Sequence, residues 1–403
     1  MTDSEIERLI KLEEKRQKKA VNLIASENYV SGDVLRALGS VFTNKYAEGY
    51  PGKRYYGGNE IVDEIEELCK NRALKLFKLC NKKCLHRAKS RWHVNVQPYS
   101  GSPANLAIYS ALVPIGSKIM GMSLEMGGHL THGQKVSMTG KFWEQVPYGV
   151  SKKTERLDYE EIFKIAKKEK PAMVVVGATA YSRKIDFRKF RKIADAAGAY
   201  LMVDMSHIAG LVAGGEHPSP FPYADVVMTT THKILRGPRG AMIFSRKIKP
   251  LGHPVSKWTL DVLIDRAVFP GLQGGPHINQ IAAIAVCLKE AMSPSFKIYA
   301  NQVVKNAQVL ANELKKRGWR IVSGGTDTHL FLVDTWSRGI SGKEASDKLE
   351  RAGIIVNKNM IPFDTRRPAG PSGIRIGTPA VTTLGMKEKD MIKIAEKIDK
   401  TLK

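Results

Sequence analysis

One lysine stands where an apolar run empties into a glycine-bearing loop, Val226-Val227-Met228-Thr229-Thr230-Thr231-His232-Lys233-Ile234-Leu235-Arg236-Gly237. An amine at a strand end, among hydroxyls and beside a histidine, is a candidate covalent catalyst. Upstream, Leu201-Met202-Val203 ends on Asp204, and Met205-Ser206-His207 follows. A lysine that forms a Schiff base and a carboxylate that pairs with a pyridinium nitrogen are the two protein groups that pyridoxal phosphate chemistry needs most. Each string alone is more often an ordinary strand end than a catalytic site, so the reading depends on what else the chain offers.

Five further constellations offer complementary chemistry. Tyr99-Ser100-Gly101-Ser102-Pro103-Ala104-Asn105 follows a strand and opens a helix, with Ser102 expected as N-cap and Pro103 as the first helical residue. Free N–H groups and the helix dipole there suit a phosphate. A second turn, Gln273-Gly274-Gly275-Pro276, can lend N–H groups to the same anion. Gly127-Gly128-His129-Leu130-Thr131-His132-Gly133 sets two histidines among glycines that let a flat ring approach; without an acidic companion, stacking is the better reading than zinc. Ser372-Gly373-Ile374-Arg375-Ile376-Gly377 puts one arginine in a strand between small residues, suited to bidentate capture of a carboxylate. Tyr46 to Gly58 gathers Tyr46, Tyr50, Tyr55 and Tyr56 around Glu48, which reads as an active-site edge with an acid or base. Cys80, Cys84, His86 and His93 loosely approach a zinc spacing, but the cations from Lys82 to Arg91 oppose it, and we expect no metal.

The elements that must position these groups alternate. Short apolar strands are expected near Val94–Val96, Ile119–Met120, Met173–Val176, Tyr200–Val203, Val226–Met228 and Met242–Phe244, with helical periodicity over Glu60–Lys78 and Phe187–Ala197. That alternation argues for a mostly parallel sheet covered by helices, with ligands beyond the carboxyl ends of the strands, where Thr179, Asp204 and Lys233 fall. Beyond Pro276, a helical stretch leads to strands near Leu330–Val333 and Ile374–Ile376, a smaller second domain. The 403 residues can bury a large core; four cysteines are too few for a disulfide framework. The chain shows no apolar stretch of membrane-spanning length, and a cytoplasmic location is expected. A net charge of +25 calls for a partner or solvated helix faces, the latter being favoured by lysines spread along segments such as Lys11 to Lys19.

Together these segments resemble serine hydroxymethyltransferase, a pyridoxal phosphate family of the aspartate aminotransferase-like fold. The resemblance runs from about Asn22 to about Leu384 and rests on Leu23-Ile24-Ala25-Ser26-Glu27-Asn28, the Tyr46–Gly58 run, the Ser100 and His129 turns, Val203-Asp204-Met205-Ser206-His207, the Lys233 loop and the Arg375 strand. It implies an α/β chain with a mostly parallel seven-stranded sheet flanked by helices and a smaller α+β C-terminal domain. The division would be a helical arm over 1–40, a large cofactor domain over 41–276 and a small domain over 277–403. It implies reversible transfer of serine's hydroxymethyl carbon to tetrahydrofolate. Lys233 would hold pyridoxal phosphate covalently and Asp204 would pair with its ring nitrogen. His129 would stack on the ring, with Thr179 and His207 near its phenolic oxygen. Ser100, Gly101, Ser102 and His232 would hold the phosphate, with Gly275 of a second subunit. Ser26, Arg375 and the second subunit's Tyr56 would bind the substrate carboxylate, Glu48 and Tyr46 would move protons, and Glu48, Tyr55, Leu124, Leu130, Phe269 and Asn359 would receive the folate. The assembly implied is a homodimer or a dimer of dimers. Thr179 stands where the family has serine, and Ile234 where it has threonine. Two other readings use the same residues or charge: a folate-independent aldolase on β-hydroxy amino acids, and a nucleic-acid-binding protein on the same fold.

Overall fold

A computed structural model describes residues 2–80, 90–252 and 255–403. Its centre is a seven-stranded sheet in the order Trp92–Asn95, Ala241–Arg246, Val226–Thr230, Tyr200–Asp204, Met173–Val176, Lys118–Met122, Glu144–Tyr148. The last five pair in parallel, and only Ala241–Arg246 runs against its neighbours. Alternate side chains leave opposite faces of each strand. Met173, Val175, Met202 and Met228 face one helical layer, built on Gly101–Leu112 and Leu260–Arg266. Val174, Val176, Leu201, Val203 and Val227 face the other, which includes Phe187–Ala197, Glu60–Leu76 and Ile278–Ala291. Both faces are covered, which is why these strands read as unbroken apolar runs.

Two local expectations change. Glu144–Tyr148 is a strand that apolar patterning does not reveal, because an edge strand tolerates its proline and its exposed Glu144. The helix after Tyr99 begins at Gly101 with Ser100 at the N-cap, so Pro103 is its third residue; Ser100 makes no side-chain capping bond, which leaves first-turn N–H groups available.

A four-stranded sheet, Arg320–Ile321, Leu330–Asp334, Gly373–Gly377, Asn357–Asn359, forms the smaller C-terminal domain and packs on its own apolar cluster with Pro294–Lys316 and Glu388–Leu402. The start of the chain joins it: Val21–Asn22 pairs in parallel with Ile354–Ile355, and Leu23 is buried in that cluster. Before this, Ser4–Lys19 is a helix with no buried residue, capped by the Asp3 carboxylate. Among the described residues no helix is long and apolar enough to cross a membrane. Cys84 and His86 lie outside the described residues; His93 is bonded through Nε2 to Asp265 at 3.0 Å.

Candidate active site

The carboxyl ends of the central strands and the Arg375 strand enclose a cleft of about 590 Å³. Lys233 enters it from the loop after Val226–Thr230, which is closed by the Thr231 hydroxyl donating to Pro238 O. Its amine donates to Thr230 Oγ1 at 2.9 Å. Burial pushes the lysine down to about 8, against the pull of Asp204 and with help from Arg375. Asp204, at the end of its strand, accepts from His132 Nε2 at 3.2 Å, Asn105 Nδ2 at 3.1 Å and the Ser206 N–H at 3.1 Å. Burial alone would raise its pKa, but His132 and these donors hold the carboxyl below its usual range. An anion thus stays ionised in a site that keeps its lysine easily neutralised.

His129 is held by Nδ1 against Thr131 Oγ1 at 2.7 Å, and burial beside His132 lowers it to about 4, so it is a neutral ring. Gly128 carries no side chain for a steric reason: a Cβ there would lie 2.0 Å from Met122 O. Thr179 donates its hydroxyl to Gly128 O at 2.8 Å. Arg375 donates from Nη1 to Thr179 O at 2.6 Å and from Nε to Asn357 Oδ1 at 3.0 Å, which fixes the guanidinium plane across the two sheets. Burial lowers it to about 10. Ser26, Asn359 and Arg239 complete the wall.

The phosphate end fits an anion. Ser100, Gly101 and Ser102 line the cleft at the start of a twelve-residue helix, whose free first-turn N–H groups suit an anion, and Gly101 lets the turn pack on Thr230, where a Cβ would meet Cγ2 at 2.8 Å. Burial lowers His232 to about 3, and its Nδ1 is buried without a protein partner. Ile234 is 1% exposed and packs on Gly210.

One chain brings together Ser26, Ser100, Gly101, Ser102, His129, Thr179, Asp204, His207, His232, Lys233, Asn359 and Arg375. Among the described residues, Tyr46, Glu48, Tyr55, Tyr56, Leu124, Leu130, Phe269 and Gly275 do not line that cleft. Several of them form a separate rim. Tyr46 Oη donates to Glu48 at 3.2 Å, the Tyr46 ring faces Gly275, and Tyr99 donates from Oη to Gly275 O. His132 and Asn105 were not singled out by sequence as supports of Asp204, although both sit inside the motifs already noted. Asn357 has no local signal; only its pairing opposite Arg375 identifies it.

A buried lysine, an ionised aspartate, a neutral imidazole and a helix N-terminus at the carboxyl edge of a largely parallel sheet define a pyridoxal phosphate enzyme. The family model described as serine hydroxymethyltransferase matches residues 1–398. A serine hydroxymethyltransferase of Koribacter versatilis (strain Ellin345) is 54% identical over 401 residues, covering 100% of this chain and 89% of that protein. The chain belongs to the serine hydroxymethyltransferase family.

Proposed function

We infer that this cleft performs the family's reaction with the residues named above. The activity is reversible transfer of the hydroxymethyl carbon of serine to tetrahydrofolate, giving glycine and 5,10-methylenetetrahydrofolate, with pyridoxal phosphate as cofactor. The bound cofactor supplies an electron sink for the substrate's α-carbon. The observation that carries the residue assignment is the pairing of a lysine lowered to about 8 with a buried, ionised Asp204 in one cleft. Lys233 supplies the attaching amine, and Asp204, steadied by His132 and Asn105, favours a protonated ring nitrogen. His129 offers a ring face, and Thr179 and His207 flank the phenolic side. Ser100, Gly101, Ser102 and His232 hold the phosphate. Arg375 and Ser26 orient the substrate carboxylate.

The rim is assigned to a neighbouring copy. Tyr46, Tyr55 and Tyr56 are 55%, 83% and 46% exposed, which supports a role in the cleft of a second subunit, with Glu48 handling protons and Gly275 reaching the phosphate. Tyr55, Leu124, Leu130, Phe269 and Asn359, with Glu48, then receive the folate. A homodimer, alone or paired into a tetramer, and a cytoplasmic location belong to the same proposal. So does the division into an arm over 1–40, a large domain over 41–276 and a small one over 277–403; two separate apolar clusters support two bodies, with Ile278 to Val304 packing in the larger cluster.

Two experiments test this. Visible absorbance of the cofactor-loaded protein with glycine, taken before and after tetrahydrofolate, should show a long-wavelength band that grows with folate; a spectrum that ignores folate would remove the folate assignments. Mixing inactive Lys233→Ala and Glu48→Gln chains after dissociation should restore roughly a quarter of full activity if each site draws on two copies. No recovery would place both groups in one chain's site.

A further inference from the structure

His207 and His329 come from different sheets and meet beneath the cleft. His207 follows Tyr200–Asp204 and lines the cleft; His329 precedes Leu330–Asp334 and is 1% exposed. Nδ1 of His207 lies 3.3 Å from Nε2 of His329. The ring planes are 27° apart and the centroids 5.5 Å apart, the spacing of two imidazoles joined edge to edge through one N–H···N bond. Burial, reinforced by Lys233 and Arg375, holds His207 well below the usual histidine range, and burial with Arg375 lowers His329 to about 3. Two neutral rings therefore share one proton at this contact.

There are two ways to place it. If His207 donates from Nδ1, His329 carries its own proton on Nδ1, an atom buried with no acceptor among the described residues. If His329 donates from Nε2, that same Nδ1 is a bare lone pair. A buried N–H without an acceptor is rarer and more costly than an unfilled acceptor, so the second arrangement is favoured. His132 has the same pattern: its Nε2 must donate to the Asp204 carboxylate at 3.2 Å, and its Nδ1 is buried without a protein partner.

We propose that His329 is a positioning residue that sets the tautomer of His207, so that His207 presents its Nε2–H to the cleft as a fixed hydrogen-bond donor. That donor shares a wall with Thr179, Asp204 and Lys233 and selects an oxygen acceptor. Identification of that acceptor as the cofactor's phenolic oxygen rests on the proposed function. Because His329 belongs to the small sheet, the donor is ready only when the small sheet is seated on the large one.

Nitrogen-15 resonances of histidine in the full-length, cofactor-loaded protein read the tautomer directly, with His207 assigned by its disappearance in His207→Asn. The expected pattern is a protonated Nε2 and a bare Nδ1. His329→Gln keeps an N–H donor near the position of Nε2 and keeps the pattern. In His329→Phe the pattern becomes mixed, and the cofactor is held about tenfold less tightly than in His329→Gln. A His207 protonated at Nδ1 in the unmodified protein overturns the proposal, and so does a His329→Phe protein matching the unmodified one in both readouts. Should His329→Phe not fold, the unmodified protein and His329→Gln decide, and an altered pattern in His329→Gln counts against it. A chain with the expected pattern that transfers no carbon to tetrahydrofolate would sink the functional reading and leave the tautomer assignment standing.

Discussion

Lys233 and Asp204 sit inside a cleft where burial tunes each titratable group, whereas Tyr46, Tyr55 and Tyr56 stand exposed on a loop whose root is buried. That root is ionic. The Arg54 guanidinium, 4% exposed, donates to Asp63 at 2.8 Å, to Glu66 at 2.7 Å and to the carbonyls of Ala47 and Gly49 at 3.0 and 2.8 Å. Lys70 lies 2.6 Å from the other Glu66 oxygen, and Gln97 bridges Glu66 and Gly49 O. The cleft adjusts chemistry through desolvation; the loop fixes only backbone and leaves its reactive tips outward. One region is tuned within a single chain, while the other holds its reactive groups at the surface, as the proposed role in a second subunit's cleft requires.

Breaking the cleft should show the largest effect: Lys233→Ala should lower turnover by about 10⁴-fold, and a loss under tenfold would mean the amine is not the attaching group. Breaking the loop at its root should instead appear as stability. Arg54→Met leaves Glu66 with Lys70 and Gln97 and should cost about 3–5 kcal/mol in urea unfolding; a change below 1 kcal/mol would show that the ion cluster does not anchor the loop. At the loop's tip, Glu48→Gln should reduce kcat by about 10²-fold while cofactor affinity holds. An equal fall in cofactor affinity would erase the division of labour between the two regions. The smallest effect is in pH. With Lys233 lowered from 10.5 to about 8, the neutral amine becomes available above about 8, so covalent uptake of pyridoxal phosphate by cofactor-free protein should rise with pH up to about 8 and then level. A rise continuing toward 10.5 would show that burial does not tune it.

Much of the cleft was legible because its groups sit at strand ends, and strand ends are marked by where apolar runs stop. Asp204, Thr179 and Lys233 fall where that rule puts them. Patterning misses Glu144–Tyr148, an edge strand in which Val146 and Tyr148 are buried while Glu144 at its start and Pro147 between them are exposed. Ser102-Pro103 looks like a helix start, whereas the helix begins two residues earlier than that signal, with Ser100 at the N-cap. The supports were the least legible: Asn357 reaches Arg375 only through cross-strand pairing, and His329 reaches His207 only through the packing of two sheets. The run Tyr46 to Gly58 is readable as reactive, but no local pattern shows that it stays out of its own chain's cleft.

The Leu23 N–H donates to Ile355 O, and Leu23 O accepts from Gly377 N–H, just past Arg375. Chains leave the ribosome N-terminus first. The Ser100 turn, Asp204 and Lys233 thus emerge while the strand bearing Arg375 does not yet exist, and segment 21–26 goes without its pairing partners through the synthesis of residues 27–353. On the proposed assignments, a nascent chain gathers the parts for its cofactor before it has a place for its substrate. A transcript cut short before Gly373 would encode the first and never the second.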